Sequence, residues 1–234
     1  MLIPGRCSAC GAVGPSPCAS CIAAMRRAPA LPAPPGVDGC VALLLYDGPA
    51  REVIARLKYR NARAAVRWLA TGMAALVDPA AIDMVTWVPT TRARRRHRGF
   101  DQGRLLARAV ARKLHRPCHP LLRRLPGPPQ TGRPLAMRRR GPRLVGRRTA
   151  RPPARVLLVD DVITSGATLV AAAEALRRTG VDHVRALAAA RTPLKIRRLS
   201  SDAVSNARRP PAPESGAPPV STRRTRHVGT DGAC

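Results

Sequence analysis

Between Val156 and Thr168 the chain reads Val-Leu-Leu-Val-Asp-Asp-Val-Ile-Thr-Ser-Gly-Ala-Thr. Four apolar residues lead into two adjacent carboxylates, Asp160 and Asp161, and a turn rich in hydroxyls and glycine follows. An uninterrupted apolar run of this kind predicts a strand buried on both faces. The carboxyl ends of such strands are where open α/β sheets bind their ligands. Thr164, Ser165, Gly166 and Thr168 bring hydroxyls and backbone N–H groups to the start of a predicted helix, and a helix N-terminus attracts anions. Paired carboxylates suit sugar hydroxyls or a divalent metal, and the turn suits a phosphate. The segment therefore predicts a grip on a sugar phosphate. The blander reading, a buried strand that happens to end in Asp-Asp, accounts for neither the second carboxylate nor the shape of the turn.

A second chemical set lies near the start of the chain. Cys7-Ser-Ala-Cys10 and Cys18-Ala-Ser-Cys21 are paired C-x-x-C turns. Each can present two thiolates to one Zn²⁺, and four thiolates close a tetrahedral structural site with no open position for catalysis. A segment with so few apolar residues relies on metal to fold. In a cytosolic chain the spacing argues for metal over disulfides and predicts a small zinc ribbon over residues 1–28; the alternative is a redox-active or decayed set of thiols. Cys40, Cys118 and Cys234 stand alone, and Cys40 and Cys118 are expected as small buried hydrophobes. The histidines at 97, 115, 119, 183 and 227 lack ligand spacing.

These groups need elements to hold them. A Pro-rich stretch, residues 29–38, reads as a stiff linker. Cys40 to Tyr46 reads as a strand, broken by Asp47-Gly48-Pro49, and Pro49 suits the first turn of a helix to about Lys58. A second helix is expected from about Ala62 to Val77, with Val66, Leu69, Met73 and Leu76 on one face. Met84 to Val88 reads as a short strand, Arg92 to Arg98 as a basic run, and Asp101 as the cap of a helix to about His115. Leu121-Leu122-Arg123 reads as a short strand. Residues 124–153 show no periodicity, which predicts a long loop of the kind used as a lid. After the strand and turn at 156–168 come a helix to about Arg178, a C-cap from Gly180 and a last strand, Val184 to Ala190. Residues 192–234 read as a disordered tail. The order predicts an α/β domain over 39–191 built on a doubly wound, mostly parallel sheet.

Composition narrows the function. The net charge is +29 over 234 residues, which invites a polyanionic partner. Nearly all the basic residues are Arg, with Lys at positions 58, 113 and 195, and the chain is rich in Ala, Pro and Gly. A GC-rich genome writes that set by codon bias, so part of the charge carries no functional meaning. The chain holds one Phe, two Tyr and two Trp, too few to build an aromatic stacking platform for single strands. No apolar run reaches the length of a membrane span, and the first residues do not resemble a signal peptide, so a soluble cytoplasmic protein is expected.

The Val156 to Thr168 segment resembles the phosphoribosyl pyrophosphate (PRPP) motif of type I phosphoribosyltransferases: an apolar run, an acidic pair, then Thr-Ser/Gly-Gly-x-Thr. The paired C-x-x-C turns, Tyr46-Asp47-Gly48, Leu57-Lys58-Tyr59, Val88-Pro89 and Arg98-Gly99-Phe100-Asp101-Gln102 narrow the resemblance to the ComF/GntX family, over about residues 5–191. That resemblance implies a phosphoribosyltransferase fold, PRPP as ligand with Mg²⁺, and transfer of phosphoribosyl to a nitrogenous base with release of pyrophosphate. It implies that Asp160 and Asp161 hold the ribose hydroxyls, one partly through Mg²⁺, with Asp161 as a ribose ligand or a general base. It implies that Thr164, Ser165, Gly166, Ala167 and Thr168 cradle the 5′-phosphate. It also implies that Pro89, Thr90, Thr91 and Arg92 form a pyrophosphate loop. Arg98 is then either a pyrophosphate ligand or part of a solvated basic face, and Lys58 is more often surface than site. A competence branch of the family implies an alternative, a non-catalytic protein handling single-stranded DNA or meeting a competence helicase. Two positions depart from the family pattern. Asp101 stands where Asn is usual. In the lid Gln130 and Arg139 fit, but Gly141-Pro142 stands where Asn is expected.

Overall fold

The structure, a computed structural model, describes residues 5–30, 32–59, 65–126 and 141–193, with the side chains of Lys58 and Tyr59 outside that set. The predicted tail from residue 194 onward, and the lid positions Gln130 and Arg139, lie outside the described residues. The described residues form one compact unit.

A short helix α1 (Ala19–Ala23) precedes strand β1 (Gly39–Leu45), and helices α2 (Gly48–Tyr59) and α3 (Val66–Ala74) follow. Strand β2 (Met84–Trp87) leads to α4 (Arg92–Arg98) and α5 (Gln102–Leu114). Then come β3 (Leu122–Arg124), β4 (Leu144–Gly146), β5 (Arg155–Ile163), α6 (Ala167–Arg177) and β6 (His183–Arg191). The main sheet has the order β1-β6-β5-β2, and each neighbouring pair is parallel. β3 and β4 form a separate antiparallel pair.

Both faces of the sheet are covered, which is why Val156–Val159 of β5 and Ala186–Ala190 of β6 are unbroken apolar runs. Leu157, Val159 and Leu187 pack with Val53, Ile54 and Leu57 of α2, Leu69 and Met73 of α3, and Leu106 and Val110 of α5. Val156, Leu158, Val184 and Ala186 face the other way, onto Leu169 and Leu176 of α6 and onto Leu122 and Leu144 of the small hairpin. The outer edge of β1 is covered as well. The Leu45 N–H donates to the Arg26 carbonyl at 2.9 Å and the Ala28 N–H to the Leu43 carbonyl at 3.2 Å, so that edge is not left open for pairing.

Three expectations change. The basic run at 92–98 is helical: Thr91 Oγ1 accepts the Arg94 N–H at 3.1 Å, and Gly99 ends the helix in the left-handed region. Residues 124–153 are not featureless, because Leu144–Gly146 pairs with β3. A three-residue strand has no period to read, and two glycines hide it. A side chain at Gly141 would meet the Ala167 carbonyl at 2.4 Å, and one at Gly146 the Ala175 carbonyl at 2.4 Å. Both glycines let the β3–β4 pair lie directly on α6. Finally, β5 does not stop at the acidic pair. It runs through Asp160 and Asp161 to Ile163, because β6 continues beside it to Arg191.

Candidate ligand site and metal centre

β2 and β5 are parallel neighbours, so their carboxyl ends share one rim of the sheet. β2 ends at Trp87, opposite Val159, and the Val88 N–H closes the ladder on the Val159 carbonyl at 3.1 Å. Beyond that point β5 continues without its β2 neighbour, and the first residues there are Asp160 and Asp161, both half-buried. The chain leaves β2 toward α4 and α5 on one face and leaves β5 toward α6 on the other. Connections that diverge to opposite faces open a crevice at the strand ends, the usual ligand position in such sheets.

The phosphate-type turn lies on one side of this crevice. Thr164 and Ser165 are exposed and Gly166 is buried. Gly166 has φ +77°, and a side chain there would meet Pro34 Cγ at 2.9 Å. Only glycine takes that backbone and that contact without cost. Among the described residues no side chain caps α6; the Ala167 N–H reaches Ser165 Oγ at 3.5 Å. The first-turn N–H groups are thus presented at the rim next to the carboxylates.

The opposite side is built around Asp101. Its Oδ1 accepts the Arg104 N–H at 3.2 Å, capping α5, and its Oδ2 accepts the Thr90 N–H at 3.2 Å. Asp101 therefore ties the Thr90–Thr91 loop to α5. The next residue, Gln102, donates Nε2–H to Asp161 Oδ2 at 3.2 Å. A chain of contacts links the Thr90 loop to the acidic pair. Arg92 is exposed at the start of α4 and Arg98 half-buried at its end.

Two residues at the rim escaped the sequence. Arg124, the last residue of β3, is half-buried, and its Nη1 donates to the Pro89 carbonyl at 3.4 Å. Burial, and secondarily Arg94, holds its pKa below the usual guanidinium value, while the Asp160 carboxylate opposes that shift. Arg124 and Arg94 thus bring positive charge to the side of the crevice that faces Asp160. Its only signal in the sequence was its place just after an apolar pair. Gln102 stood in the Arg98–Gln102 motif, but nothing local marked it for burial beside Asp161, because a polar residue in the first turn of a helix is ordinarily exposed.

The four N-terminal cysteines converge. Their sulfur atoms lie within 4.8 Å of one another, and Cys10 and Cys18 approach to 3.8 Å. Cys7 accepts N–H bonds from Cys18 at 3.3 Å and Ala9 at 3.4 Å. Burial works against ionising Cys7, but the backbone N–H groups of Cys18, Cys10 and Ala9 outweigh it and bring the thiol down to about 5. Hydrogen bonding with Cys18, then burial, pushes Cys21 up to about 12. Four sulfurs this close cannot all ionise alone, and a cation at their centre removes the conflict. The set is docked onto the domain: Cys7 and Cys21 are buried in the core on the α2 face, and Arg56 Nη1 of α2 donates to the Cys7 carbonyl at 3.1 Å.

Residues 147–208 match the family model of the phosphoribosyl transferase domain. That span holds β5, the acidic pair, the glycine turn, α6 and β6. Among solved structures the chain is similar to the allosteric regulatory enzyme of purine biosynthesis, at 23% identity and a TM-score of 0.38, over 53% of this chain and 25% of that chain. The chain therefore spans about a quarter of that enzyme's length. No protein of curated function matches the chain. The domain match and the four-stranded parallel sheet together make the fold α/β of the phosphoribosyltransferase type. Among the described residues no helix is long and apolar enough to cross a membrane.

Proposed function

We propose that the chain binds PRPP with Mg²⁺ at the carboxyl ends of β2 and β5 and transfers its phosphoribosyl group to a nitrogenous base, releasing pyrophosphate. The observation that carries this reading is the placement of Asp160 and Asp161 beside the uncapped N-terminus of α6, within the span that matches the phosphoribosyl transferase domain. In this reading the backbone N–H groups and hydroxyls of Thr164, Ser165, Gly166, Ala167 and Thr168 hold the 5′-phosphate. Asp161 accepts from a ribose hydroxyl, and Asp160 would hold the ribose partly through Mg²⁺. The donor set fits Mg²⁺, which takes few carboxylates and completes its shell with substrate and water oxygens. When bound, that ion neutralises charge on the departing pyrophosphate.

Thr90, Thr91, Arg92 and Arg98 line the pyrophosphate side in this scheme, and Arg124 joins them. A half-buried guanidinium is less screened by water than the exposed arginines of α4, so its attraction for the leaving group is stronger. The base nitrogen then attacks the anomeric carbon as the bond to pyrophosphate breaks. Asp161 Oδ2 already accepts the Gln102 amide N–H, which holds the carboxylate in one orientation and suits it to ribose binding.

The order of the paired C-x-x-C turns, Tyr46-Asp47-Gly48, Arg98–Gln102 and the acidic pair supports a ComF-like protein of the cytoplasm within this fold, with one structural Zn²⁺ on Cys7, Cys10, Cys18 and Cys21. The test of the enzyme reading is pyrophosphate release from PRPP and Mg²⁺ across a panel of nucleobases. At least one base should support release, and Asp160→Asn with Asp161→Asn should abolish it. Measurable PRPP binding with no release for any base would refute transfer.

A second reading, binding of single-stranded DNA, is favoured by one feature. Arg104, Arg108 and Arg112 are exposed at four-residue spacing along α5, which aligns them on one helix face. If they contact phosphates, changing all three to Ala should lower the slope of log affinity against log salt by about 2, at roughly 0.7 per phosphate. An unchanged slope would remove α5 from any DNA surface.

A further inference from the structure

Gln102 is the first residue of α5 and is 7% exposed. Its two amide atoms are treated differently. Nε2 donates to Asp161 Oδ2 at 3.2 Å. Oε1 is buried and, among the described residues, has no hydrogen-bond partner. Turning the amide over does not resolve this, because it sets an oxygen against a carboxylate oxygen. A buried acceptor without a donor is costly, and an apolar residue of the same size would avoid that cost.

Among the described residues no donor reaches Oε1. Asp101, just before it, is an acceptor already used by Thr90 and Arg104. The missing partner must come from outside the described residues and must donate. The rigid amide keeps Oε1 within a few ångströms of the Asp161 carboxylate, a separation that suits hydroxyls on neighbouring carbons.

We infer that Gln102 determines sugar specificity: its Oε1 and the Asp161 carboxylate form adjacent acceptors for two vicinal hydroxyls, so the site selects ribose 5-phosphates over deoxyribose 5-phosphates. The inference rests on the sugar-phosphate reading of Asp160–Thr168 and adds the group that counts the hydroxyls. One hydroxyl donates to Asp161 and its neighbour donates to Gln102. The Nε2–H bond fixes both acceptors in one orientation before the sugar arrives.

The test is calorimetry on the full chain with ribose 5-phosphate, 2-deoxyribose 5-phosphate, 3-deoxyribose 5-phosphate and inorganic phosphate. The unsubstituted protein should prefer ribose 5-phosphate over at least one deoxy sugar by about tenfold or more. Gln102→Met, an apolar residue of similar length, should lose the preference over the deoxy sugar that lacks the Gln102-bound hydroxyl and keep the preference over the one that lacks the Asp161-bound hydroxyl, while its affinity for inorganic phosphate stays unchanged. A merely structural role would move all four ligands together. A Gln102→Met protein that keeps every original preference overturns the inference. So does an unsubstituted protein that binds ribose and both deoxy sugars alike, a measurement that needs no variant to fold. If the unsubstituted protein binds inorganic phosphate but no sugar phosphate, the sugar-phosphate reading itself fails and takes the inference with it.

Discussion

Gly166→Ala tests the phosphate turn where its geometry is most demanding. Gly166 has φ +77°, a conformation that costs a residue with a side chain about 1–2 kcal/mol. The new methyl group would also meet Pro34 Cγ at 2.9 Å and Cβ at 3.3 Å. A proline ring cannot swing aside as a flexible chain would, and overpacking of this kind costs about 1–3 kcal/mol. The two effects are separable, so the substitution should cost about 2–5 kcal/mol in all. For a domain of this size each kcal/mol lowers Tm by about 2–4 °C. The assay is urea denaturation of four proteins: unsubstituted, Gly166→Ala, Pro34→Ala and the double variant. In the Pro34→Ala background the Cγ clash is gone and only backbone strain and the milder Cβ contact at 3.3 Å remain, so Gly166→Ala should there cost less, approaching about 1–2 kcal/mol for the backbone alone. The same cost in both backgrounds would refute the Pro34 contact. A cost below about 0.5 kcal/mol, the range of an inconsequential surface change, would refute the left-handed turn itself.

Other consequences are shorter to state. The purified chain should hold about one Zn²⁺, and Cys10→Ser with Cys18→Ser should release it; stoichiometric zinc in the double variant would remove these sulfurs from the ligand set. Gly146→Ala should destabilise by about 1–3 kcal/mol, since its side chain would meet both the Ala175 carbonyl and Thr179 Cγ2 at 2.4 Å, and an unchanged urea midpoint would show that β4 does not lie on α6. The Arg155 guanidinium beside Asp83, joined at 2.6 Å, holds that carboxyl below its ordinary value of 3.8. A depressed folded pKa gives stability that is present above the unfolded value and lost as pH falls through the folded one. The stability difference between the unsubstituted protein and Asp83→Asn should therefore be constant near neutrality and shrink below about pH 3.9; a difference that persists unchanged into strong acid would contradict the pairing.

What the sequence disclosed and what it hid follow from the range of the forces involved. β5 and α5 were legible because burial imposes a period: Val156–Val159 are all buried, and Leu106, Val110 and Leu114 recur at helical spacing on one buried face. Asp101 was legible as a cap because capping acts within three residues. Its second bond, to the Thr90 N–H eleven positions back, had no local trace. The same holds for Gln102 and Asp161, which are separated by 59 positions, and for Arg124, whose guanidinium reaches the Pro89 carbonyl 35 positions back. The hairpin strand β4 was lost for the opposite reason. Gly141 and Gly146 are there for what they omit, and an omission leaves no apolar pattern. Local composition could therefore indicate a sugar-phosphate grip from Asp160 to Thr168. The groups that adjoin the acidic pair, Gln102 on one carboxylate and Arg124 with its charge toward the other, arrive from α5 and β3 and become visible only when parallel β2 and β5 bring their carboxyl ends to one rim.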